Sequence, residues 1–351
     1  MAASPARQGA ASGPEPKRRR HGRTRPLAAA SVVATCLLLA GCTILVSSPW
    51  HSRYGRNHPL AGRFWDSTHK RFTDWNSVVD AAASATYLLV GETHENRDHH
   101  ELQARLFGAV VARGRRPALS MEMLDTGQHE AIERCLAEPR CDAAHFRRAV
   151  SWDTSGWPSW SWYAPIIEIA LRNGLPIVPA NLPRSQLRKI ARQGKLETDL
   201  AARLWTAEAI PPAVRREIEE DIRVSHCHQV PERLVASMAL AQRVRDAFMA
   251  ETLAKHAAGG VVFVAGNGHV RADRGVPLHL RLRNPNARIV TVGALEVRDG
   301  LRTPPEYAQL LRSTALPFDY VWFSPRASNR DPCEEFRKQL EQIGGHNRRT
   351  P

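Results

Sequence analysis

Two segments of this chain, far apart in the sequence, present a histidine in the same way. Residues 88–91 and 262–266 are apolar runs that end at a glycine, and His94 and His269 each follow three residues after that glycine. Such runs are typical of central parallel strands, and a glycine lets the chain turn sharply into a loop. Because open α/β sheets bind ligands at the carboxyl ends of their strands, we predict that His94 and His269 share one site.

Polar residues also follow two other predicted strands. Residues 117–121 run into Glu122, and residues 176–180 run into Asn181, while Glu92 stands two positions before His94. Parallel strands bring their carboxyl ends to one edge of a sheet. The alternative is that each polar residue caps the next helix, which suits Asn181 best because a proline follows two residues later. For Glu92 a cap is a weaker explanation, since a buried carboxylate needs a partner.

The first fifty of the 351 residues differ from an ordinary soluble domain. A basic region at residues 17–25 precedes an apolar stretch at residues 27–40, which is too short to span a bilayer comfortably. This pattern predicts a signal peptide over residues 1–41. The sequence Leu39-Ala40-Gly41-Cys42 resembles a bacterial lipobox, so we expect Cys42 to be lipidated and the protein to be anchored in the cell envelope. The alternative is an ordinary signal peptide that happens to contain a cysteine.

Charge and cysteine use exclude some functions. Residues 1–41 carry seven basic residues and one acidic residue, so their removal lowers the formal net charge from +14 to +8. No basic run with interleaved aromatics and no zinc-finger spacing accompanies this charge, which argues against nucleic acid as a partner. Cys135 and Cys141 bracket a short loop that a disulfide would close, and Cys227 with Cys333 is the remaining pairing.

The order of predicted elements indicates an α/β fold with a doubly wound, mostly parallel sheet flanked by helices. We place a linker at residues 42–69, the α/β domain at 70–325 and a C-terminal tail at 326–351. Within the domain, residues 183–258 form an inserted all-helical lobe. Residues 151–163 contain four tryptophans, and we expect Gly156 and Pro158 to prevent a helix there. This loop either covers the core or forms one wall of an apolar pocket.

These residues resemble the ChaN family of haem-binding, iron-regulated lipoproteins, which belongs to the Tiki superfamily. The resemblance covers most of residues 70–325, and its most specific part is residues 266–277. Its motifs are Gly91-Glu92-Thr93-His94, Asp98-His99-His100, Glu122-Met123, residues 241–250 with Gln242, Arg245 and Asp246, and Gly266-Asn267-Gly268-His269-Val270-Arg271. The resemblance implies an α/β fold with a helical lobe, and dimers that hold two stacked haems through a tyrosine ligand. A role in haem or iron uptake follows as an expectation.

The same residues support an alternative function. The predicted catalytic set of Glu92, His94, Glu122 and His269 resembles the motif that relatives in the superfamily use for hydrolysis. Two histidines and two carboxylates suit a divalent ion such as Mn, Co or Zn with an open position for water. Asn181 would orient a substrate carbonyl. The protein would then be a metal-dependent hydrolase of the peptidase or esterase type. A hydrogen-bonded polar cluster that closes the sheet edge is the structural alternative.

Haem requires an apolar slot, an axial ligand and cations for its propionates. We select Tyr163 as the candidate axial ligand because the tryptophan-rich loop beside it, including Trp160, supplies flat apolar surface. Arg271 would pair either with Asp273 or with an anionic group. A hydrogen-bonded core tyrosine is the alternative for Tyr163.

Overall fold

The computed structural model describes residues 50–346, in which eight strands form one mixed sheet. The strands are β1 (Phe64–Asp66), β2 (Arg71–Thr73), β3 (Tyr87–Glu92), β4 (Ala118–Asp125), β5 (Ile177–Asn181), β6 (Val261–Gly266), β7 (Ile289–Glu296) and β8 (Tyr320–Ser324). Their order across the sheet is β2-β1-β8-β7-β3-β6-β4-β5. Strands β3 to β8 are parallel to one another, whereas β1 pairs antiparallel with both β8 and β2 at one side of the sheet. The predicted α/β fold with a mostly parallel sheet is confirmed.

Helices cover both faces of this sheet. They are α1 (Trp75–Ser84), α2 (Arg97–Ala112), α3 (His129–Ala137), α4 (Ala143–Ala149), α5 (Trp160–Arg172), α6 (Arg184–Gln193), α7 (Thr198–Arg203), α8 (Thr206–Ala209), α9 (Pro212–Ser225), α10 (Glu232–Lys255), α11 (Asn267–Val270), α12 (Val276–Arg283), α13 (Glu306–Leu310) and α14 (Pro332–His346). Among the described residues, no helix has the length and apolar character needed to cross a bilayer. The predicted signal peptide and Cys42 lie outside the described residues.

The central strands are buried on both sides because successive side chains point to opposite faces. Leu88 and Val90 of β3 join a core formed with α1, α2 and α5. Tyr87 and Leu89 join a second core formed with α10 and α12. Every residue of β3 and β6 is buried. A polar side chain at the end of such a strand therefore lies inside the protein and needs hydrogen-bond partners there.

Most of the predicted linker, residues 42–69, lies within residues 50–73, which pack against the rest of the domain. β1 pairs with β8, so that Phe64 lies opposite Trp322. Leu60 and Phe64 are buried, and the amides of His51 and Ser52 donate to the carboxylate of Asp98. This segment extends the sheet by two antiparallel strands. Its short strands lack the long apolar runs that identify the central ones, which explains why the sequence pattern does not show them.

The helices between β5 and β6 occupy the place of the predicted helical lobe. α6 and α10 share a small core of their own that includes Leu182, Ile190 and Val244. The second half of α10 also packs on the sheet, since Met249 and Leu253 belong to the sheet core. α10 thus packs against the inserted helices with its first half and against the sheet with its second half.

Two further boundaries differ from the predictions. The tryptophan-rich segment is irregular only as far as Ser159, because α5 begins at Trp160. The predicted C-terminal tail contains α14, and a disulfide joins Cys333 at the start of that helix to Cys227. A second disulfide joins Cys135 to Cys141.

The two disulfides close loops of very different length, which predicts different effects on stability. The pairs are separated by 106 and 6 residues. By chain entropy alone, closing the long loop stabilises the fold by about 4.7 kcal/mol and closing the short loop by about 2 kcal/mol. We expect Cys227→Ser/Cys333→Ser to lower the free energy of unfolding more than the matched Cys135→Ser/Cys141→Ser variant in urea titrations. A larger loss from the short loop would contradict this account.

Candidate functional site at the carboxyl edge of the sheet

The carboxyl ends of β3, β4 and β6 bring the predicted site residues together. β6 lies between β3 and β4 in the sheet. A Cβ atom on Gly266, the last residue of β6, would lie 3.2 Å from the imidazole of His94 and 3.6 Å from Oε2 of Glu122. Glu92, His94, Glu122 and His269 therefore form one polar cluster, and we call these four residues the edge cluster.

The glycines at this edge permit close approach of side chains to the backbone. Neither Gly91 nor Gly266 has a positive φ. A Cβ on Gly91 would overlap Oδ1 of Asn267, whose side chain bonds both the N–H and the C=O of Ala294 on β7. The missing Cβ of Gly266 leaves room for His94. Glycine is therefore required at both positions by the side chains that pack against the backbone there.

Glu92 is a buried carboxylate with three partners. Tyr163 donates its hydroxyl to Oε1 at 3.0 Å, and Nδ1 of His94 lies 2.6 Å from the same oxygen. Nδ1 of His100 lies 2.5 Å from Oε2. Burial would raise the pKa of Glu92, but the charges and hydrogen bonds of His100 and His94 lower it to about 2. Glu92 is thus ionised at neutral pH although it has almost no exposed surface.

His94 is the member of the edge cluster that faces solvent, with 36% of its side chain exposed. Burial would lower its pKa, yet the hydrogen bond that its ring donates to Glu92 and the charge of Glu122 raise it. The indole of Trp157 packs edge-on against the imidazole at 5.0 Å, and the guanidinium of Arg184 lies over that indole. His94 is therefore held on one side by a carboxylate and covered on the other by an aromatic ring.

Glu122 is equally buried and bonds a different set of donors. Nη2 of Arg245 lies 2.6 Å from its carboxylate, the amide of Gly266 donates at 2.9 Å, and Nε2 of His269 lies at 3.2 Å. Burial would raise the pKa of Glu122, but the charges of His269 and Arg245 hold it well below its usual range. This carboxylate is neutralised by cations of the protein itself.

His269 lies between two carboxylates. Its Nδ1 is 2.5 Å from Asp246 of α10, and its Nε2 faces Glu122. Burial would lower its pKa, but Glu122 and Asp246 raise it to about 9. His269 is accordingly an imidazolium at neutral pH, a proton donor rather than a base.

Sequence reasoning assigned no role to several residues of this site. Arg245 and Asp246 reach the edge from α10, and His100 reaches it from α2. His99, beside His100, accepts from the amide of Thr93 and bonds Ser324, which fixes the turn before His94. Burial lowers the pKa of His99 to about 3, so it is neutral. All four residues belong to the motifs of the ChaN resemblance. Helical spacing alone did not predict which face of α10 or α2 packs against the carboxyl edge of the sheet.

The predicted metal set does not converge on an ion. Among the described residues, the one group of three ligand side chains close enough to share a metal is His51, Asp98 and Glu101, which is separate from the edge cluster. Both carboxylates of the edge cluster already have protein partners, and Arg245 occupies the position beside Glu122. A guanidinium there disfavours a divalent cation by charge repulsion. The geometry therefore lends no support to His94, His269, Glu92 and Glu122 as metal ligands, and that assignment stays a prediction.

Asn181 lies at the same edge but faces its neighbours. Its side chain donates to the carbonyl of Glu122 at 3.0 Å and accepts from the amide of Leu182 at 2.9 Å. This places Asn181 in the local backbone-binding role that was its alternative, and both ends of its amide are engaged.

Comparison with known proteins agrees with this arrangement. The family described as "Haem-binding uptake, Tiki superfamily, ChaN" matches residues 78–280, which is more than half of the chain. The chain belongs to the ChaN family. This match spans the edge cluster from Glu92 to His269 and also includes Arg245 and Asp246. The predicted family is thereby confirmed.

One of the solved structures compared shows the same fold, and two others are less similar. ChaN of Campylobacter jejuni, described with cofacial haem binding, is 20% identical with a TM-score of 0.60, and the match covers 74% of this chain and 95% of that one. The erythromycin esterase EreC is 14% identical over 74% of this chain and 94% of its own, with a TM-score of 0.42. The type III effector HopBA1 is 12% identical over 78% and 96%, also with a TM-score of 0.42. No curated protein matches this chain.

Tyr163, the candidate haem ligand chosen for its aromatic neighbours, lies in the protein core. It is fully buried and donates its hydroxyl to Glu92. Burial and the charge of Glu92 raise its pKa, which opposes the phenolate form that binds iron. Trp160 is buried against Trp152 and Phe146. Arg271 forms two hydrogen bonds to Asp273. Each of the three side chains thus has partners within the protein, and their role as haem contacts stays a prediction.

A hollow with aromatic walls and charged residues lies elsewhere in this protein. It measures about 520 Å³ and lies beside β1 and α2. We call it the aromatic hollow, and its aromatic walls are Trp50, Phe64, Phe72, Trp75 and Trp322. Arg63 and Arg105 also line it, with their guanidinium groups over Phe72 and Trp75. Asp98 and Glu101 lie on the same lining, and both bind His51.

The carboxylates around His269 predict its titration. We expect Asp246→Asn to lower the pKa of His269 from about 9, because it removes one of two negative charges that favour the imidazolium. Since the folded pKa exceeds the unfolded value of 6.5, this ion pair stabilises the fold fully below pH 6.5 and the stabilisation is lost as the pH rises through 9.

NMR titration of the His269 ring checks this expectation, with urea unfolding at several pH values as a second measurement. Asp153→Asn is the matched control, because Asp153 forms an exposed ion pair with Arg147 and lies outside the edge cluster. An unchanged His269 titration in Asp246→Asn would show that Asp246 does not set this pKa.

Proposed function

We propose that this protein binds haem in the aromatic hollow and serves haem or iron uptake at the cell envelope. Membership of the ChaN family supports haem as the ligand. The observation that carries the site is the combination of indole and phenyl walls with two flanking arginines. A porphyrin is flat and apolar except for two propionates, so it pairs with aromatic surface in the middle and with guanidinium groups at one edge.

His51 is the proposed iron ligand. Its side chain is 37% exposed, and its backbone amide and Nε2 are held by Asp98 and Glu101. A carboxylate bonded to one ring nitrogen of histidine raises the basicity of the other as a ligand. Haem bound here would supply a redox-active iron and an intense absorption band. The protein would contribute the ligand, the stacking surface and the charge pairing.

A dimer would complete this binding mode. Of the five tyrosines, Tyr87, Tyr163 and Tyr307 are buried and Tyr320 is half-buried, whereas Tyr54 is 40% exposed. Tyr54 stands three residues after His51 and is the tyrosine that a second copy can reach. We propose that pairing of two copies closes the open side of the hollow, with Tyr54 as the ligand contributed across the interface.

Anchoring at the envelope is part of the proposal. The basic and apolar pattern of residues 1–41 and the lipobox ending at Cys42 support export and lipidation. Two or three acyl chains give stable membrane attachment, whereas one chain gives only marginal binding. The aromatic hollow includes Trp50, so haem would bind close to the anchored end of the chain.

Haem titration tests the ligand and the hollow. We expect the full chain in detergent to give a saturable Soret change with haemin. We expect His51→Ala to weaken binding at least about tenfold, which corresponds to about 1.4 kcal/mol. His129→Ala changes an exposed histidine on α3 and should leave affinity unchanged. No saturable change in the wild type would overturn the haem proposal. Full affinity in His51→Ala with loss in Tyr54→Phe would instead make tyrosine the principal ligand.

Hydrolysis at the edge cluster is a second candidate function. One observation favours it: the Glu92–His94 pair leaves a solvent-facing imidazole next to the imidazolium of His269. In this arrangement His94 would act as general base on a water molecule, while the positive charge of His269 stabilises the developing oxyanion. Both roles use the chain's own residues.

Ester hydrolysis tests this second function. With 4-nitrophenyl acetate as probe, we expect His94→Gln to reduce the rate by about 100-fold or more, since a positioned general base contributes roughly 10²–10⁴-fold. His129→Gln is the control. The rate should rise with pH through the raised pKa of His94, because only the neutral imidazole accepts a proton. Equal rates in wild type and His94→Gln would leave the edge cluster as a structural feature.

A further inference from the structure

We propose that a basic hollow near the first described residues of the chain docks on anionic phospholipid headgroups of the membrane. This inference rests on the proposed lipid anchor at Cys42 and adds an orientation to it. The hollow, which we call the arginine hollow, measures about 490 Å³ and is lined by Arg53, Arg56, His58 and Arg302. It is separate from the aromatic hollow, with which it shares no lining residue.

The arginine hollow has unbalanced positive charge. Among the ion pairs of the described residues, none includes Arg53, Arg56 or Arg302. Asp299 is the one carboxylate on the lining, and it is already paired with Arg326 at 2.9 Å. All three arginines are exposed. A concave surface with three unpaired guanidinium groups attracts phosphate groups, which accept several hydrogen bonds at once.

The position of the hollow brings it to the membrane. The guanidinium of Arg56 donates to the carbonyls of Trp50 at 2.9 Å and Ser52 at 2.7 Å, so it lies where the described chain begins. Trp50 stands eight positions after Cys42, a distance of at most about 28 Å when the chain is fully extended. An anchor at Cys42 would keep the arginine hollow close to the bilayer surface.

Each arginine near an anionic surface contributes about 1 kcal/mol, or about fivefold in the equilibrium between docked and undocked orientations.

Hydrogen exchange on the lipidated full chain tests this proposal. The protein is reconstituted in vesicles of phosphatidylcholine alone or mixed with phosphatidylglycerol. We expect residues 53–59 and 299–302 to exchange more slowly on the anionic vesicles only, and about 1 M salt to remove the difference by screening. Arg53→Gln/Arg56→Gln/Arg302→Gln should shift the orientation equilibrium about 100-fold toward the undocked state and abolish the protection.

A matched control keeps the charge change but moves it to the other end of the sheet. Arg140→Gln/Arg148→Gln/Arg188→Gln removes three exposed arginines near α3, α4 and α6, and it should retain the protection. Equal exchange on both kinds of vesicle, or equal loss in both triple variants, would overturn the proposal. The proposal would also be overturned if Arg53→Gln/Arg56→Gln/Arg302→Gln lost haem binding but kept its protection from exchange. The arginine hollow would then bind the propionates of haem.

The anchor and the docking surface can fail separately. If the wild type is not retained on phosphatidylcholine vesicles, the proposed lipid anchor is wrong. Docking is then judged on the anionic vesicles alone, where protection of the two segments supports it and full exchange refutes it. Retention on phosphatidylcholine without protection on phosphatidylglycerol leaves the anchor and removes the docking surface.

Discussion

The burial of two ionised carboxylates at the carboxyl edge of the sheet constrains much of this structure. Glu92 and Glu122 are 2% and 3% exposed, and an unpaired carboxylate in such a place costs several kcal/mol. Their partners come from different elements: His100 from α2, Tyr163 from α5, and Arg245 from α10. Each helix must therefore pack at the depth that brings its donor to the edge. The same placement of helices thus provides hydrogen-bond donors for the two carboxylates and buries the apolar cores.

This neutralisation also decides which chemistry the edge can perform. A carboxylate that already bonds a guanidinium or an imidazolium has little charge left for a metal ion. The arrangement instead separates two histidines by their surroundings: His94 is partly exposed, whereas His269 is enclosed between Glu122 and Asp246. Such a difference suits proton transfer or a structural role. It does not suit the ligand set that four converging side chains suggest when only their types are known.

Both hollows lie on the side of the sheet that carries the antiparallel strands. Strands β1 and β2 and the segment before them supply Trp50, Phe64 and Phe72 to the aromatic hollow, and Arg53 and Arg56 to the arginine hollow. The part of the chain nearest the proposed anchor is therefore also the part that offers flat apolar surface and unpaired positive charge. In the proposed function, the aromatic hollow binds haem and the arginine hollow contacts the membrane, while the edge cluster lies at the central strands of the sheet.

The sequence alone determined the parallel sheet, because buried strands appear in it as continuous apolar runs. It also determined that the polar residues at the strand ends converge, because parallel strands place their carboxyl ends at one edge. It also placed Glu92, His94, Glu122 and His269 correctly at that edge. Tertiary structure decided what these residues bind. Arg245, Asp246 and His100 reach the edge only through the rotation of their helices, which sequence spacing leaves open. The short strands β1 and β2 likewise depend on pairing with β8, since three residues carry too little periodicity to identify a strand without its partner.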